Sequence, residues 1–346
     1  MELNVLITGC CAREIEQDVI DLKNNGEREV KVIGVDIKDS TETKYLDGFY
    51  QVHKGDSKEF IDDIKRICKE EKIDIIIPTV DTELISLSKH KDDIKAKVLV
   101  MDEDKLALSI DKAFMYDKLV KLGFDVPRYA VVFSKEEFSR KCEDFDYRNN
   151  KLCLKNPLGF GSRGIRIINE KKDFFKAFMN EKPYTNECTK EMMEMILDGN
   201  GFRLILMEFI EGNEYSVNIL ADNGNVMFAV GKENIDVIDS SPTKSIIKWN
   251  DKAMNMSFEI VKKLELDGYI GLDFIIDKEG RPKLLEINPR LTSTVPTINK
   301  SGVNYIYLGV KNALNEDIKP LICNVKEITM KRISKEIYFD KNGVEL

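Results

Sequence analysis

Asp273 and Glu286, with Asn288 two residues further on, have the residue types and spacing of a metal site. Gly271-Leu-Asp-Phe-Ile-Ile-Asp277 alternates like a half-buried strand. Lys278-Glu-Gly-Arg-Pro282 supplies a turn, and Lys283 to Ile287 returns as a second strand. A hairpin with that loop brings Asp273 and Glu286 onto neighbouring strands and leaves Asn288 on the face of Glu286. Two carboxylates and an amide oxygen are hard ligands that suit Mg²⁺, whose remaining positions take water and phosphate oxygens. Arg290, just past Pro289, can pair with the charge of a transferred phosphoryl group. A solvent-facing hairpin with ordinary acidic residues would read the same way, so the segments upstream must decide.

Leu152 to Ile168 contains Gly159-Phe-Gly161-Ser162-Arg163-Gly164, a literal GxGxxG. A dinucleotide fingerprint follows a strand and opens a helix. Here Ile165-Arg-Ile-Ile168 continues as a strand, so the spacing predicts a strand-loop-strand flap whose backbone N–H groups can close over phosphates. Protein kinases use such a flap, but with a lysine downstream and a His-Arg-Asp loop. In this chain Lys155 lies upstream, and neither His53 nor His90 precedes Arg-Asp. Lys155 would reach phosphates from its strand, with Ser162 and Arg163 at the flap tip. A glycine-rich structural hairpin is the alternative. A third segment, Leu204 to Val217, turns at Gly212 between two strands; Phe209 and Ile210 could offer backbone groups to a base, Glu208 could accept from an exocyclic amine, and Glu214 from ribose hydroxyls. Acidic turns between strands are common, so this signal carries little alone.

The first hundred residues must position these groups, and they alternate strand and helix: strands at Val5–Thr8, Val30–Asp36, Ile73–Pro78 and Lys97–Met101, helical stretches between them. That order predicts a parallel sheet with right-handed crossovers, a Rossmann-type half domain. Its first turn, Gly9-Cys10-Cys11-Ala12-Arg13, lacks the second and third fingerprint glycines, which argues against NAD. Asp81 and Glu83, just past a strand's carboxyl end, are weak substrate contacts, with helix N-terminal capping as the alternative. Asp111-Lys112 opens a helix through Lys121 that Gly123 ends. Short strands and loops follow, with Lys182–Asn200 of uncertain structure and an amphipathic helix at Asp251–Leu264. A helix at Ser301–Asn315 and a strand-rich tail at Val325–Leu346 complete the reading.

Charged residues make up 33% of the 346 and hydrophobic residues 42%, the balance of an ordinary globular chain of two or three domains. A net charge of -8, without a basic stripe, argues against a nucleic-acid partner. No apolar run approaches the roughly 20 residues of a membrane span, and the chain begins on a strand rather than a signal peptide. Seven cysteines without a CxxC pair read as reduced packing residues in the cytoplasm. With only two histidines, each beside a lysine, any metal must be held by oxygen.

Taken in order, Lys112, Lys155, the Gly159–Gly164 flap, Met207-Glu208-Phe209-Ile210, Glu214, Asp273 and Glu286-Ile-Asn288-Pro-Arg290 resemble the ATP-grasp superfamily. The likeness is to its carbamoyl-phosphate synthase large-subunit-like and biotin carboxylase-like branches and spans essentially the whole chain. It implies an α/β and α+β fold: a Rossmann-like pre-ATP-grasp domain over 1–108, then an ATP-grasp domain over 109–346. The latter would divide into a lid of about 115–212 and a metal-binding part of about 213–346. By that resemblance Lys112 and Lys155 bind nucleotide phosphates, as do Gly159, Gly161, Ser162, Arg163 and Gly164. Glu208, Phe209, Ile210 and Glu214 hold adenine and ribose, and Asp273, Glu286 and Asn288 hold two Mg²⁺, for which Mn²⁺ can substitute. Arg290 and Lys155 act in catalysis. Lys232 and Lys244 are either phosphate or acid contacts or, as plain surface lysines, solvated.

The reaction implied is attack of a small carboxylate on the γ-phosphate of ATP, then displacement of phosphate from the acyl phosphate by an amine. Rival readings are a carboxylate or carbamate kinase-like enzyme and a non-catalytic ATP-binding protein; a homodimer is compatible with any of them. The chain has one such unit and no glutaminase-like Cys and His pairing, which counts against carbamoyl phosphate formation.

Overall fold

The computed structural model describes residues 2–12, 15–38, 44–159, 161, 163–181, 186–238, 241–318, 321–322, 325–333, 336, 338 and 340–341. Its first layer is a parallel sheet in the order β3-β2-β1-β4-β5, from β1 (Leu3–Thr8), β2 (Val30–Asp36), β3 (Gly48–Gln51), β4 (Ile75–Ile77) and β5 (Lys97–Val98). Val5, Leu6 and Ile7 are all buried, because the sheet is covered on both faces by α1 (Ile15–Lys23), α2 (Phe60–Glu70) and α3 (Asp81–His90). The Rossmann-type alternation is as expected; β3 was not anticipated. Neither was α4 (Glu103–Ile110), which leads directly into α5 (Lys112–Lys121). Asp111 caps α5, its Oδ1 accepting from the N–H groups of Ala113 and Phe114 at 3.0 and 3.1 Å.

The second layer is a five-stranded sheet, β6-β10-β7-β8-β9, built from β6 (Tyr129–Val132), β7 (Leu152–Lys155), β8 (Ile165–Ile168), β9 (Glu187–Cys188) and β10 (Leu204–Glu208). β7 and β8 pair antiparallel with Lys155 opposite Ile165, so the glycine segment is a flap between strands. The short strands and loops expected here are interrupted by helices α6 (Lys135–Asp144), α7 (Phe174–Asn180) and α8 (Lys190–Leu197). A capping box explains α6: Ser134 accepts from the Glu137 N–H at 3.2 Å while Glu137 accepts from that of Phe133 at 2.8 Å. Leu152, Leu154, Leu206, Phe138 and Met193 pack α6 and α8 on one face of this sheet. Of the uncertain 182–200 segment, residues 182–185 lie outside the described residues.

A seven-stranded sheet forms the third layer: β15-β14-β11-β12-β13-β17, with β16 pairing β12. Its strands are β11 (Gly212–Asp222), β12 (Asn225–Ile238), β13 (Ser241–Ile247), β14 (Gly268–Asp277), β15 (Pro282–Asn288), β16 (Leu321–Ile322) and β17 (Thr329–Lys331). The amphipathic α9 (Asp251–Lys263) packs on the face carrying Val217, Ile219, Ile270 and Leu272. An unanticipated helix, α10 (Val295–Lys300), precedes the one expected over 301–315, which is α11 (Tyr305–Ala313); Gly302, with φ of 113°, lies between them. Within the expected strand-rich tail, only β17 is strand among the described residues.

Candidate active site

Strand alternation sorts the seven-stranded sheet into an apolar face and a polar one. Glu214, Ser216 and Asn218 on β11 share the polar face with Lys232 and Asn234 on β12, and with Asp273 on β14. The register sets Glu286 opposite Asp273, Asp273 opposite Ser216 and Ser216 opposite Lys232, a polar row across four strands. Asp273 Oδ1 accepts from the Ser216 hydroxyl at 2.6 Å, and Oδ2 from the Asn288 amide at 2.9 Å. That amide also reaches Glu286 Oε1 at 3.3 Å. The predicted hairpin therefore brings Asp273, Glu286 and Asn288 together.

Burial first, and the Glu286 charge second, raise the pKa of the Asp273 carboxyl well above the usual range. Enclosure also opposes ionisation of Glu286, but Lys112 and then Lys155 outweigh it and hold that carboxyl low. Two adjoining carboxylates under such tension, with an amide alongside, are a donor set that fits a hard divalent cation.

The roof is cationic. Lys112 and Lys155 are 8% and 7% exposed, so Lys112 is not the surface lysine it could have been. Its Nζ donates to the Gly159 carbonyl at 2.6 Å and sits 3.2 Å from Glu286 Oε2. One ammonium thus touches both the flap and the acidic hairpin. One turn further along α5, the Tyr116 hydroxyl donates to the Leu285 carbonyl at 2.8 Å and fixes the helix above β15. Gly161 and Gly164 have φ of 59° and 74°, conformations that side chains resist, while Arg163 is exposed at the tip. Ser162 lies outside the described residues.

At the hinge between lid and sheet, the Glu208 carboxylate accepts from the Arg128 N–H at 2.8 Å, and the Phe209 N–H donates to the Lys151 carbonyl at 3.2 Å. Both groups are engaged within the chain. Ile210 is half-buried, and Glu214 stands exposed at the mouth, opposite Asn234. A cavity of about 570 Å³ abuts Glu208, Phe209 and Glu211 at this end of the lid. It lies away from the acidic row, where Lys112 closes the space between flap and floor.

Three placements differ from expectation. Asp81 and Glu83 do not cap α3: its N-cap is Val80, with no side-chain cap bond. Asp81 instead holds Arg290 in a two-pronged pair, at 2.9 and 2.7 Å, which sustains the guanidinium charge against burial. Glu83 is buried at 3% exposure, and burial pushes its carboxyl up to about 7. Lys232 is not solvated: it is 3% exposed, donates to the Thr294 hydroxyl, and is pushed down to about 8 by burial. Polar alternation along β12, with Lys232 and Asn234 two apart, was the available sign of this.

Residues 202–336 match the family model described as ATP-grasp in the biosynthetic pathway with Ter operon, and residues 5–101 the PylC-like N-terminal domain. An uncharacterised protein of Methanocaldococcus jannaschii is 27% identical over 215 residues, 62% of this chain and 49% of that protein. The carbamoyl phosphate synthase arginine-specific large chain of Bacillus subtilis is 22% identical over 234 residues, 64% of this chain and 21% of its own. This chain therefore spans about half and about a fifth of those relatives. The L-amino acid ligase of Bacillus licheniformis superposes with a TM-score of 0.66 at 16% identity, over 92% of this chain and 77% of that one. Among the described residues, no helix is long and apolar enough to cross a membrane. Residues 202–336 thus match an ATP-grasp model and residues 5–101 a PylC-like one, and the chain shares the fold of that ligase.

Proposed function

We propose that this chain is a Mg-ATP-dependent ligase that joins a small-molecule carboxylate to an amine through an acyl phosphate, releasing ADP and phosphate. The observation that carries the reading is the Lys112 ammonium, in contact with the flap carbonyl of Gly159 and with Glu286. Phosphates entering that space would meet Lys112 and Lys155 above and the acidic row below. Asp273, Glu286 and Asn288 would hold Mg²⁺, which supplies neutralisation of phosphate charge when bound.

An oxygen of the substrate carboxylate attacks the γ-phosphorus, and the bond to the β–γ bridging oxygen breaks to release ADP. The amine nitrogen then attacks the acyl carbon, phosphate leaves and the ammonium loses its proton. The residues contribute position and charge rather than covalent chemistry. The flap keeps water from the acyl phosphate. Arg290, poised on Asp81, steadies the acyl phosphate and its oxyanion. Glu208, Phe209, Ile210 and Glu214 form the nucleoside end. On this reading residues 1–108 are the pre-ATP-grasp domain and 109–346 the ATP-grasp domain.

The likeness to a carbamoyl phosphate synthase chain supports a second reading, in which the acyl phosphate is itself released or passed on. Purified chain incubated with Mg-ATP and pools of acids and amines separates the two. A ligase releases ADP only when acid and amine are both present; a kinase-like enzyme releases it with acid alone. ATP binding without ADP from any pool would sink both.

A further inference from the structure

Lys232 has an arrangement that the chemistry above does not use. It is 3% exposed, yet its one described hydrogen bond is to the Thr294 hydroxyl. An ammonium has three donors, and a buried one without a counter-charge is costly. Among the described residues no carboxylate lies within ion-pair distance of it. Asp273 and then Glu214 favour its charge from beyond that distance, and the two Asp273 oxygens are committed to Ser216 and Asn288.

The surroundings also present donors. The Thr292 hydroxyl donates to Asn218 Oδ1 at 2.7 Å, and Asn218 Nδ2, in a residue 1% exposed, has no partner. Arg332, just past β17, donates to the Ser293 carbonyl at 2.6 Å and is close enough to Lys232 to disfavour its charge. The loop carrying Thr292 crosses the sheet where only a glycine permits it: a Cβ on Gly271 would lie 2.6 Å from the Thr292 methyl.

Position decides what the cluster receives. Lys112 and the flap meet at Glu286, on β15. Lys232 is rooted three strands away on β12, and its ammonium reaches Thr294, whose hydroxyl lies 3.2 Å from that of Thr292 above Gly271 of β14. We infer that the acid substrate carries a second anionic group, a carboxylate or a phosphate, which Lys232, Thr294 and Asn218 bind over β14 and β11, on the side of the acidic row away from Lys112. This rests on the ligase reading. The reacting carboxylate sits by Asp273 and Glu286, and a spacer of a few bonds carries the second charge toward β12.

The test uses the full chain, Mg-ATP, and hydroxylamine as nucleophile, so that any acyl phosphate becomes a hydroxamate plus phosphate. Succinate, glutarate, L-glutamate and 3-phosphonopropionate are compared with the monoanions butyrate and L-glutamine. We expect hydroxamate from a dianion at a kcat/KM at least tenfold above its monoanionic counterpart. The carboxylate and phosphonate arms show which second group is taken. Lys232→Met should bring that dianion-to-monoanion ratio to about one, a loss of about tenfold or more, the scale of a charged hydrogen bond. Replacing a buried cation by an apolar side chain of similar length preserves the fold. The preferred dianion should accordingly raise the Tm of the wild-type Mg-ADP complex and not that of the variant.

Equal use of monoanions by wild type, or equal loss of both classes in Lys232→Met, overturns the inference and leaves the ligase standing. So does loss of Mg-ATP binding in Lys232→Met, which would assign this lysine to the phosphates. Mg-ATP binding with hydroxamate from neither class overturns the ligase reading, and this inference with it.

Discussion

Glu286 holds opposing charges in balance. It faces Asp273 across the strand pair, where its negative charge disfavours ionisation, and its other oxygen meets Lys112 at 3.2 Å. Replacing it by glutamine removes a charge while keeping the shape. We expect Glu286→Gln to lower ADP release at least about 1,000-fold, the scale of one lost electrostatic contact in a water-poor site. The fold should survive, since relief of repulsion at Asp273 offsets the loss at Lys112; circular dichroism and Tm check this. Unchanged turnover with normal Mg-ATP affinity would remove Glu286 from the chemistry. Two of the buried lysines separate by location. Lys155→Ala should weaken Mg-ATP binding about tenfold or more, by loss of a charge-assisted contact, and Lys232→Ala much less. Titration calorimetry giving equal or reversed effects would mean that the flap does not hold the phosphates.

The hairpin of β14 and β15, the flap between β7 and β8, and α5 with its Asp111 cap were legible because each is written in local sequence. Strand alternation, glycines at a turn and a capping aspartate need only a few neighbours. The capping box of α6 was equally local, Ser134 to Glu137, and was there to be read. Two placements were not local. Arg290 finds Asp81 at a separation of 209 residues, and Lys232 finds Thr294 at 62. No periodicity announces such pairs; they follow from how layers stack.

Entry into α3 shows the same limit and gives a pH test. Glu83 is buried beneath Gly55, where an added Cβ would meet it at 2.5 Å, and its Oε2 has no described partner. Its folded-state pKa of about 7 lies above the ordinary 4.5, so the folded protein keeps a proton that the unfolded chain releases. The stability linked to that proton is therefore full below pH 4.5, falls as pH rises toward 7, and stays low above it. Glu83→Gln should remove the slope, raising stability at pH 8 by about 2–3 kcal/mol and changing it little near pH 4.5. Urea unfolding at both pH values measures this. An equal effect at both would show that Glu83 keeps its charge in the fold.

The three layers do not share their cores equally. One face of the second sheet has its own, around Leu152, Phe138 and Met193, while Cys153, Ile205 and Met207 on the other face join the cluster of α9 and the third sheet. By contrast, Val5, Ile7 and Val32 of the first sheet lie in one cluster with Phe228, Tyr269, Tyr305 and Ile306 of the third. Polar contacts follow the same seam: Arg28 with Glu316 at 2.7 Å, Lys311 with Glu27 at 2.9 Å, and the Asn304 amide with the Asp21 carbonyl at 2.7 Å. The Asp81–Arg290 pair crosses it at the candidate site. A chain built this way should lose its first and third layers together. Tyr305 tests the point, being 1% exposed, hydrogen-bonded to the Ile219 carbonyl at 2.8 Å and stacked near Phe228 and Tyr269. Tyr305→Ala should cost about 3–5 kcal/mol, as other large-to-small core changes do. Hydrogen exchange should then quicken at the amides of β1 as much as at those of β11 and β14. Exchange that quickens in the third sheet alone would mean that the first layer unfolds independently, and the Asp81–Arg290 pair would then be a contact between separable bodies instead of a fixed part of the site.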